Sequence, residues 1–136
     1  MLWFIILNRG LKMSSKDTIL LIEDDHDIRV SFRQTLESDG HFVYSAANGK
    51  DALALLEKIA PPKLIILDLG MPIMNGEEFL EFKSKNPKIA DIHVLVVSCY
   101  VDRIKNINKY PFLVKPVDMD QFLKKVDICL DTKIES

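Results

Sequence analysis

The sequence predicts an α/β fold in which a doubly wound, five-stranded parallel sheet is covered by helices on both faces. Five short apolar runs alternate with segments whose apolar residues repeat at helical spacing, as in parallel sheets joined by right-handed crossovers. The chain has 136 residues, about the length of one domain. Its composition, 48% hydrophobic and 28% charged, is that of an ordinary globular protein.

The predicted strands are short apolar runs, as expected for strands that are buried on both faces. In chain order they span residues 18–23, 42–46, 64–68, 92–98 and 112–115. The first run, TILLIE, and the third, LIILD, each end in an acidic residue, the fourth ends in serine and the fifth in lysine. Four of the five strands therefore leave the sheet at a polar side chain.

Helices are predicted between the strands from start and stop signals and from apolar residues at helical spacing. Asp25 or Asp27 caps the first helix, and Gly40 ends it. Asn48 opens the second helix, which cannot continue past Pro61. The residues predicted to face the core are Ile28, Phe32 and Leu36 in the first helix, Ala52, Leu55, Leu56 and Ile59 in the second, Phe79, Leu80 and Phe82 in the third (residues 76–86), and Phe122, Leu123, Val126 and Leu130 in the last (residues 118–130).

Charge and cysteine content exclude several classes of function. A net charge of −2 leaves no basic field for binding nucleic acid or an anionic membrane. The two cysteines cannot form a disulfide framework, so we expect a cytoplasmic protein. Cys99 is expected to be a small buried hydrophobe. The histidines, His26, His41 and His93, lack metal-ligand spacing, so each is expected to be structural or exposed.

The N-terminal segment is expected to lie outside the domain. Residues 1–7 are continuously apolar, but a membrane span needs about 20 such residues, so no span is expected. Our hypothesis is that translation begins at Met13. Residues 1–12 would then be an upstream artefact or a flexible tail, and the alternative is a membrane-surface anchor. Residues 1–16 form the predicted extension, followed by a domain at 17–132 and a tail at 133–136.

Ligands of doubly wound sheets bind beyond the carboxyl ends of the strands, at the topological switch point. The acids Glu23 and Asp24 stand at the end of the first strand, and Asp68 ends the third. Ser98 and Lys115 end the fourth and fifth strands. We therefore expect three carboxylates, a hydroxyl and an ammonium group to converge at one edge, although any single acid there could equally be a helix cap or a solvated loop end.

This convergence indicates phosphoryl transfer. Clustered carboxylates raise one another's pKa unless a cation neutralises them, and Mg²⁺ is a hard cation that binds one or two carboxylates while keeping several waters. A carboxylate beside Mg²⁺ is also a competent nucleophile toward phosphorus. Lys115 and Ser98 would stabilise the oxygens of the transferring phosphoryl group.

Four stretches carry a resemblance to a known family: IEDD at 22–25, LIILDLGMPIMNG at 64–76, VS at 97–98 and FLVKP at 112–116. Over about residues 17–132 the chain resembles the receiver domain of two-component response regulators, of the chemotaxis-receiver type. The resemblance implies a flavodoxin-like sheet with the strand order 2-1-3-4-5. The spacing to Asp68 favours Glu23 and Asp24 as the acid pair and leaves Asp25 as a cap.

The resemblance also implies the roles of the matching residues. Asp68 would be the phosphoacceptor, taking its phosphoryl group from a histidine kinase or a histidine phosphotransfer protein. Asp24, Asp68 and the backbone carbonyl of Gly70 would ligate Mg²⁺ directly, and Glu23 would act through a water. Lys115 would pair with Asp68 or its phosphate.

Three further positions match the family's switch region. Ser98 would be the switch hydroxyl and Phe112 the switch aromatic, and the peptide bond before Pro116 would be cis. Fewer residues separate Ser98 from Lys115 than relatives usually have. The fourth helix, within residues 100–107, is therefore expected to be short or distorted, and Cys99 replaces a smaller residue.

On this basis we expect a stand-alone, single-domain response regulator in phosphorelay signal transduction, acting on an unknown downstream protein. Its only chemistry would be Mg²⁺-dependent self-phosphorylation and autodephosphorylation, so it would not be an enzyme in the usual sense. The alternative is a degenerate receiver that serves as a phosphorylation-independent protein-interaction module. An aspartate-nucleophile phosphatase is a third possibility, but it would need a second acid where Gly70 stands.

Overall fold

A computed structural model describes residues 17–99 and 109–131. Its strands are β1 (Thr18–Ile22), β2 (Phe42–Ala46), β3 (Leu64–Leu67), β4 (His93–Ser98) and β5 (Phe112–Val114). Its helices, numbered in the order in which they occur in the described residues, are α1 (His26–Ser38), α2 (Gly49–Leu56), α3 (Gly76–Ser84) and α4 (Met119–Asp131). None of these helices, within the described ranges, is long and apolar enough to cross a membrane.

The five strands form one parallel sheet in the order β2-β1-β3-β4-β5, which confirms the predicted fold class and strand order. The order reverses direction between β1 and β3. Ile22, the last residue of β1, is level with Ala46 on β2 and Leu67 on β3. Because these ends are level, the residues that follow β1 and β3 leave the sheet side by side.

Each face of the sheet carries its own apolar core, as strands buried on both faces require. Alternate residues of β1 and β3 point to opposite faces. One core joins strand residues to α2 and α3, and the other joins them to α1 and α4. The first includes Leu20, Ile22, Ile65, Leu67, Ala52, Leu56, Phe79 and Leu80, and the second includes Ile19, Leu21, Leu64, Ile66, Phe32, Leu36, Phe122 and Val126.

Element ends differ from the prediction by a few residues. Strands β1, β3 and β5 each end one residue before the predicted polar end, although the backbone N–H of each of those polar residues still donates to the neighbouring strand. Helix α2 ends at Leu56, before Ile59, and α3 ends at Ser84 rather than residue 86. The segment predicted to hold the short fourth helix lies outside the described residues, as do residues 1–16 and 132–136.

One predicted core residue of α3 is wrong. Phe82 is 55% exposed, because the buried face of the helix runs through Phe79, Leu80 and Lys83 instead. The Lys83 ammonium donates a hydrogen bond to the carbonyl oxygen of Ala90 at 2.8 Å, so a lysine with a satisfied charge holds the inward position. Burial lowers the pKa of Lys83, and the nearby charge of Asp91 opposes that shift.

Candidate functional site

The carboxyl edge of the sheet gathers the polar residues that the sequence placed at the strand ends. Glu23 follows β1, Asp68 follows β3 and Lys115 follows β5, while Ser98 is the last residue of β4. The side chains of Glu23, Asp68 and Ser98 are almost fully buried, with relative exposures of 2%, 5% and 0%. Buried polar groups of this kind need partners, and the Lys115 ammonium and backbone N–H groups supply them.

Three carboxylates form what we call the acid cluster: Glu23, Asp24 and Asp68. Each offers a carboxylate oxygen, and these oxygens lie within 4.8 Å of one another. Asp24 is exposed, whereas the other two are buried. An all-oxygen site that is open on one side suits Mg²⁺, which binds through a few carboxylates and retains several waters.

Lys115 neutralises the buried part of the acid cluster. Its Nζ lies 2.7 Å from Glu23 Oε1 and 3.6 Å from Asp68 Oδ2. Burial alone would lower the pKa of Lys115, but its hydrogen bond to Glu23 and the charge of Asp68 outweigh that effect and raise it. The lysine therefore stays cationic and faces Asp68, the position required of a group that stabilises phosphoryl oxygens.

Backbone groups and Ser98 surround Asp68 on its other side. Ser98 Oγ accepts a hydrogen bond from the backbone N–H of Leu69 at 3.4 Å, and Asp68 Oδ1 accepts one from that of Gly70, also at 3.4 Å. Phe112 at the start of β5 is partly buried against one core. The Lys115–Pro116 peptide bond is cis, as the resemblance implies.

The loop between β1 and α1 is held by contacts that sequence reasoning missed. The Arg29 guanidinium donates to the backbone oxygens of Glu23 at 2.8 Å and of Asp24 at 3.2 Å. Asp25 accepts a hydrogen bond from the N–H of Ile28 at 3.0 Å and is the N-cap of α1, which confirms its predicted role. These contacts hold the backbone of Glu23 and Asp24 in place. The sequence signal for them is weak, because it is a single arginine in the first turns of α1.

Gly76, the first residue of α3, packs directly behind Asp68. A Cβ at position 76 would lie 2.6 Å from the Asp68 carbonyl oxygen and 2.7 Å from Leu69 Cα, closer than such atoms approach. The Gly76 N–H also donates to the Leu69 oxygen at 2.9 Å. Glycine is therefore required here so that α3 can begin against the loop that carries Asp68.

The prediction that Cys99 is buried is wrong, because its side chain is exposed. Cys99 follows the end of β4 and lines a cavity of about 470 Å³ together with Ile28, Phe32, Lys115 and Met119. The side chain that follows Ser98 thus opens toward this cavity rather than into the core.

Glu23 gives the site a pH-dependent stability. Burial raises the pKa of Glu23 from 4.5 to about 7, with help from the charge of Asp68 and against the hydrogen bond from Lys115. Between these two values the folded carboxyl keeps a proton that the unfolded one has lost. The folded state is therefore favoured at the acid end of this window, and the contribution is lost as pH rises through the folded pKa.

We expect the unfolding free energy, measured without divalent cations, to show this effect as a difference between wild type and Glu23→Gln. Across the window the wild type should lose about 1–3 kcal/mol relative to the variant, whose neutral amide does not titrate. Urea unfolding followed by circular dichroism at several pH values measures the difference. Parallel pH profiles for the two proteins would contradict the expectation.

The family model described as "Response regulator receiver domain" matches residues 19–127. The chain is 29% identical to sporulation initiation phosphotransferase F of Bacillus subtilis (strain 168), over 86% of this chain and 96% of that protein. It is also 32% identical to the sensor histidine kinase TmoS of Ectopseudomonas mendocina, over 89% of this chain but only 13% of the kinase. The chain therefore corresponds to a small part of some relatives and to nearly the whole of others.

Solved structures agree with the sequence relatives. The structure of the chemotaxis response regulator CheY4 of Vibrio cholerae superposes with a TM-score of 0.76 at 28% identity, covering 84% of this chain and 98% of that chain. This likeness agrees with the flavodoxin-like sheet and its strand order β2-β1-β3-β4-β5.

Proposed function

This chain belongs to the response regulator receiver domain family, and we propose that it accepts a phosphoryl group onto Asp68 from a histidine kinase or a histidine phosphotransfer protein. One observation carries the proposal: Asp68 lies within 4.8 Å of two other carboxylates and 3.6 Å from the Lys115 ammonium. The phosphotransferase and kinase relatives support a place in phosphorelay signal transduction.

Asp24 and Asp68, with the backbone carbonyl of Gly70, are the groups we propose as direct Mg²⁺ ligands. Glu23 is better suited to act through a water, because its two oxygens already accept hydrogen bonds from Lys115 and from the Asp25 N–H. Bound Mg²⁺ would supply positive charge that offsets the charge of the phosphoryl oxygens.

In the proposed reaction an Asp68 carboxylate oxygen attacks the phosphorus of the partner's phosphohistidine. A P–O bond forms and the P–N bond breaks, and its electron pair returns to the imidazole nitrogen, which takes a proton from solvent. Lys115 Nζ holds the phosphoryl oxygens beside Asp68 and limits repulsion from the acid cluster. Water later attacks the acyl phosphate and releases inorganic phosphate, so we propose no catalysis beyond self-phosphorylation and autodephosphorylation.

The new charge would be read out by a protein partner. Phosphorylation adds about −1.5 to −2 charges and three acceptor oxygens at one point of the carboxyl edge. We propose that the Ser98 hydroxyl turns toward these oxygens and that Phe112, partly buried on the edge strand β5, moves with it. Such a coupled change would alter the surface near β4 and β5 for an unidentified cytoplasmic target.

The alternative, a degenerate receiver that binds partners without phosphorylation, is not favoured. Such a protein would be free to lose one of the charged groups around Asp68. Here Glu23, Asp24, Lys115 and Ser98 are all in place, and no feature of the described residues favours the alternative over phosphoacceptance.

A direct test is incubation of the purified protein with phosphoramidate, a small-molecule donor, with and without Mg²⁺. We expect one phosphate per chain by intact mass spectrometry when Mg²⁺ is present and almost none in EDTA. Phosphorylation that is indifferent to EDTA would contradict the role of the acid cluster, and no phosphorylation in either condition would favour the degenerate receiver.

A further inference from the structure

A second group of ligand-type side chains lies at the opposite edge of the sheet. We call Asp39, His41 and Asp127 the distal cluster. One ligand atom from each lies within 4.8 Å of the other two. His41 immediately precedes β2, so the cluster sits at the amino edge, whereas the acid cluster sits at the carboxyl edge.

The fold itself assembles the distal cluster from two segments, the turn between α1 and β2 and helix α4. Asp39 is the C-cap of α1, and Gly40, with a φ of 96°, turns the chain so that the His41 N–H donates to the Leu36 oxygen at 3.1 Å. Helix α4 brings Asp127, and the stacked rings of Phe32 and Phe122, with centroids 4.7 Å apart, pack α4 against α1. The local turn therefore brings Asp39 and His41 together, and core packing adds Asp127.

The donor set of the distal cluster differs in kind from that of the acid cluster. One imidazole and two carboxylates suit zinc and similar transition ions, whereas the all-oxygen acid cluster suits Mg²⁺. The His41 side chain is only 4% exposed, so its ring is held in place, and Asp39 is 16% exposed. Two carboxylates close to a buried imidazole make a site that a cation can occupy favourably.

The separations between the ligand atoms are compatible with a tetrahedral zinc ion. Ligand atoms about 2.0–2.2 Å from a tetrahedral Zn²⁺ stand about 3.4 Å apart. His41 Nε2 and Asp39 Oδ2 are already 3.5 Å apart. One Asp127 carboxylate oxygen lies within 4.8 Å of a ligand atom of Asp39 and of a ligand atom of His41, so reaching a separation of about 3.4 Å needs a movement of no more than about 1.4 Å.

From this geometry we propose that the distal cluster is a binding site for Zn²⁺ or a closely similar transition-metal ion, with His41, Asp39 and Asp127 as ligands and water in the fourth position. The bound ion would tie α4 to the turn between α1 and β2. The site is independent of phosphorylation at Asp68, because it stands at the other end of the sheet.

Calorimetric titration of the whole protein with Zn²⁺, in buffer with saturating Mg²⁺ to occupy the acid cluster, tests the proposal. We expect Asp127→Asn and His41→Gln each to weaken the binding of one Zn²⁺ equivalent at least about tenfold, because even loss of groups that only orient a ligand costs about 10- to 100-fold. Asp127→Asn keeps the shape of a half-buried helix residue, so it should fold even if His41→Gln does not.

A matched control is His26→Gln, because His26 also lies beside an aspartate, with Nδ1 3.4 Å from Asp27 Oδ1, but is exposed. This variant should bind Zn²⁺ as the wild type does. Zn²⁺ should also raise the Tm of wild type and His26→Gln but not that of Asp127→Asn. Equal Zn²⁺ affinity in wild type and Asp127→Asn would overturn the proposal and leave the distal cluster as a contact between side chains within the fold.

Discussion

Asp68→Asn is expected to abolish phosphorylation of the protein by phosphoramidate and Mg²⁺. An amide oxygen at this position cannot form a stable acyl phosphate. Glu23 is also buried and contacts Lys115, but both of its carboxylate oxygens already accept hydrogen bonds, from Lys115 and from the Asp25 N–H. Partial loss is not expected, because the substitution removes the nucleophile rather than a group that assists it. Intact mass spectrometry before and after incubation measures the phosphate added per chain.

The variant should remain folded. Asparagine keeps the shape of the side chain, the backbone N–H of residue 68 still bonds the Ile22 oxygen, and one of three crowded negative charges is removed. Asp25→Asn is the matched control, since asparagine caps helices as well as aspartate does and Asp25 lies outside the acid cluster. A phosphate that persists in Asp68→Asn would move the acceptor to another residue and refute the proposed function.

The carboxyl edge of the site was predictable because it depends only on where buried parallel strands end. Any parallel sheet in which β3 lies between β1 and β4 brings the residues after those three strands together. Glu23, Asp68, Ser98 and Lys115 could therefore be placed at one edge from apolar runs alone. The resemblance then added what strand ends cannot specify, namely which acid is expected to accept phosphate and that Pro116 follows a cis bond.

What escaped prediction depends on how elements pack across the chain. The Asp39–His41–Asp127 cluster joins positions almost ninety residues apart, and only the docking of α4 on α1 brings them together. The wrong predictions for Phe82 and Cys99 have the same origin. Phe82 lies at helical spacing and Cys99 follows a buried strand, but each is buried only if another element covers it. The periodicity of the sequence does not show which element, if any, lies over a given residue.

Removal of Asp24 is expected to weaken Mg²⁺ binding at least about tenfold, since loss of a direct ligand should cost no less than loss of the groups that orient one. The reason lies in how differently the two acids of the pair are engaged. Glu23 is buried and already accepts hydrogen bonds from Lys115 and Asp25, whereas Asp24 is exposed and its oxygen faces the open side of the acid cluster. Asp24→Ala and Asp25→Ala separate the two neighbours, measured by Mg²⁺ titration calorimetry.

Asp25→Ala should leave the Mg²⁺ affinity nearly unchanged while it lowers the unfolding free energy by about 1 kcal/mol, because it removes the N-cap of α1. Asp24→Ala should do the reverse and lose affinity with little change in stability, since an exposed acid repelled by Glu23 and Asp68 contributes little to folding. Equal losses of Mg²⁺ affinity in the two variants would mean that the loop places Asp25, not Asp24, against the metal. Opposite effects of the two variants on Mg²⁺ affinity and on unfolding free energy therefore test whether Asp24, and not Asp25, is the second acid of the metal site.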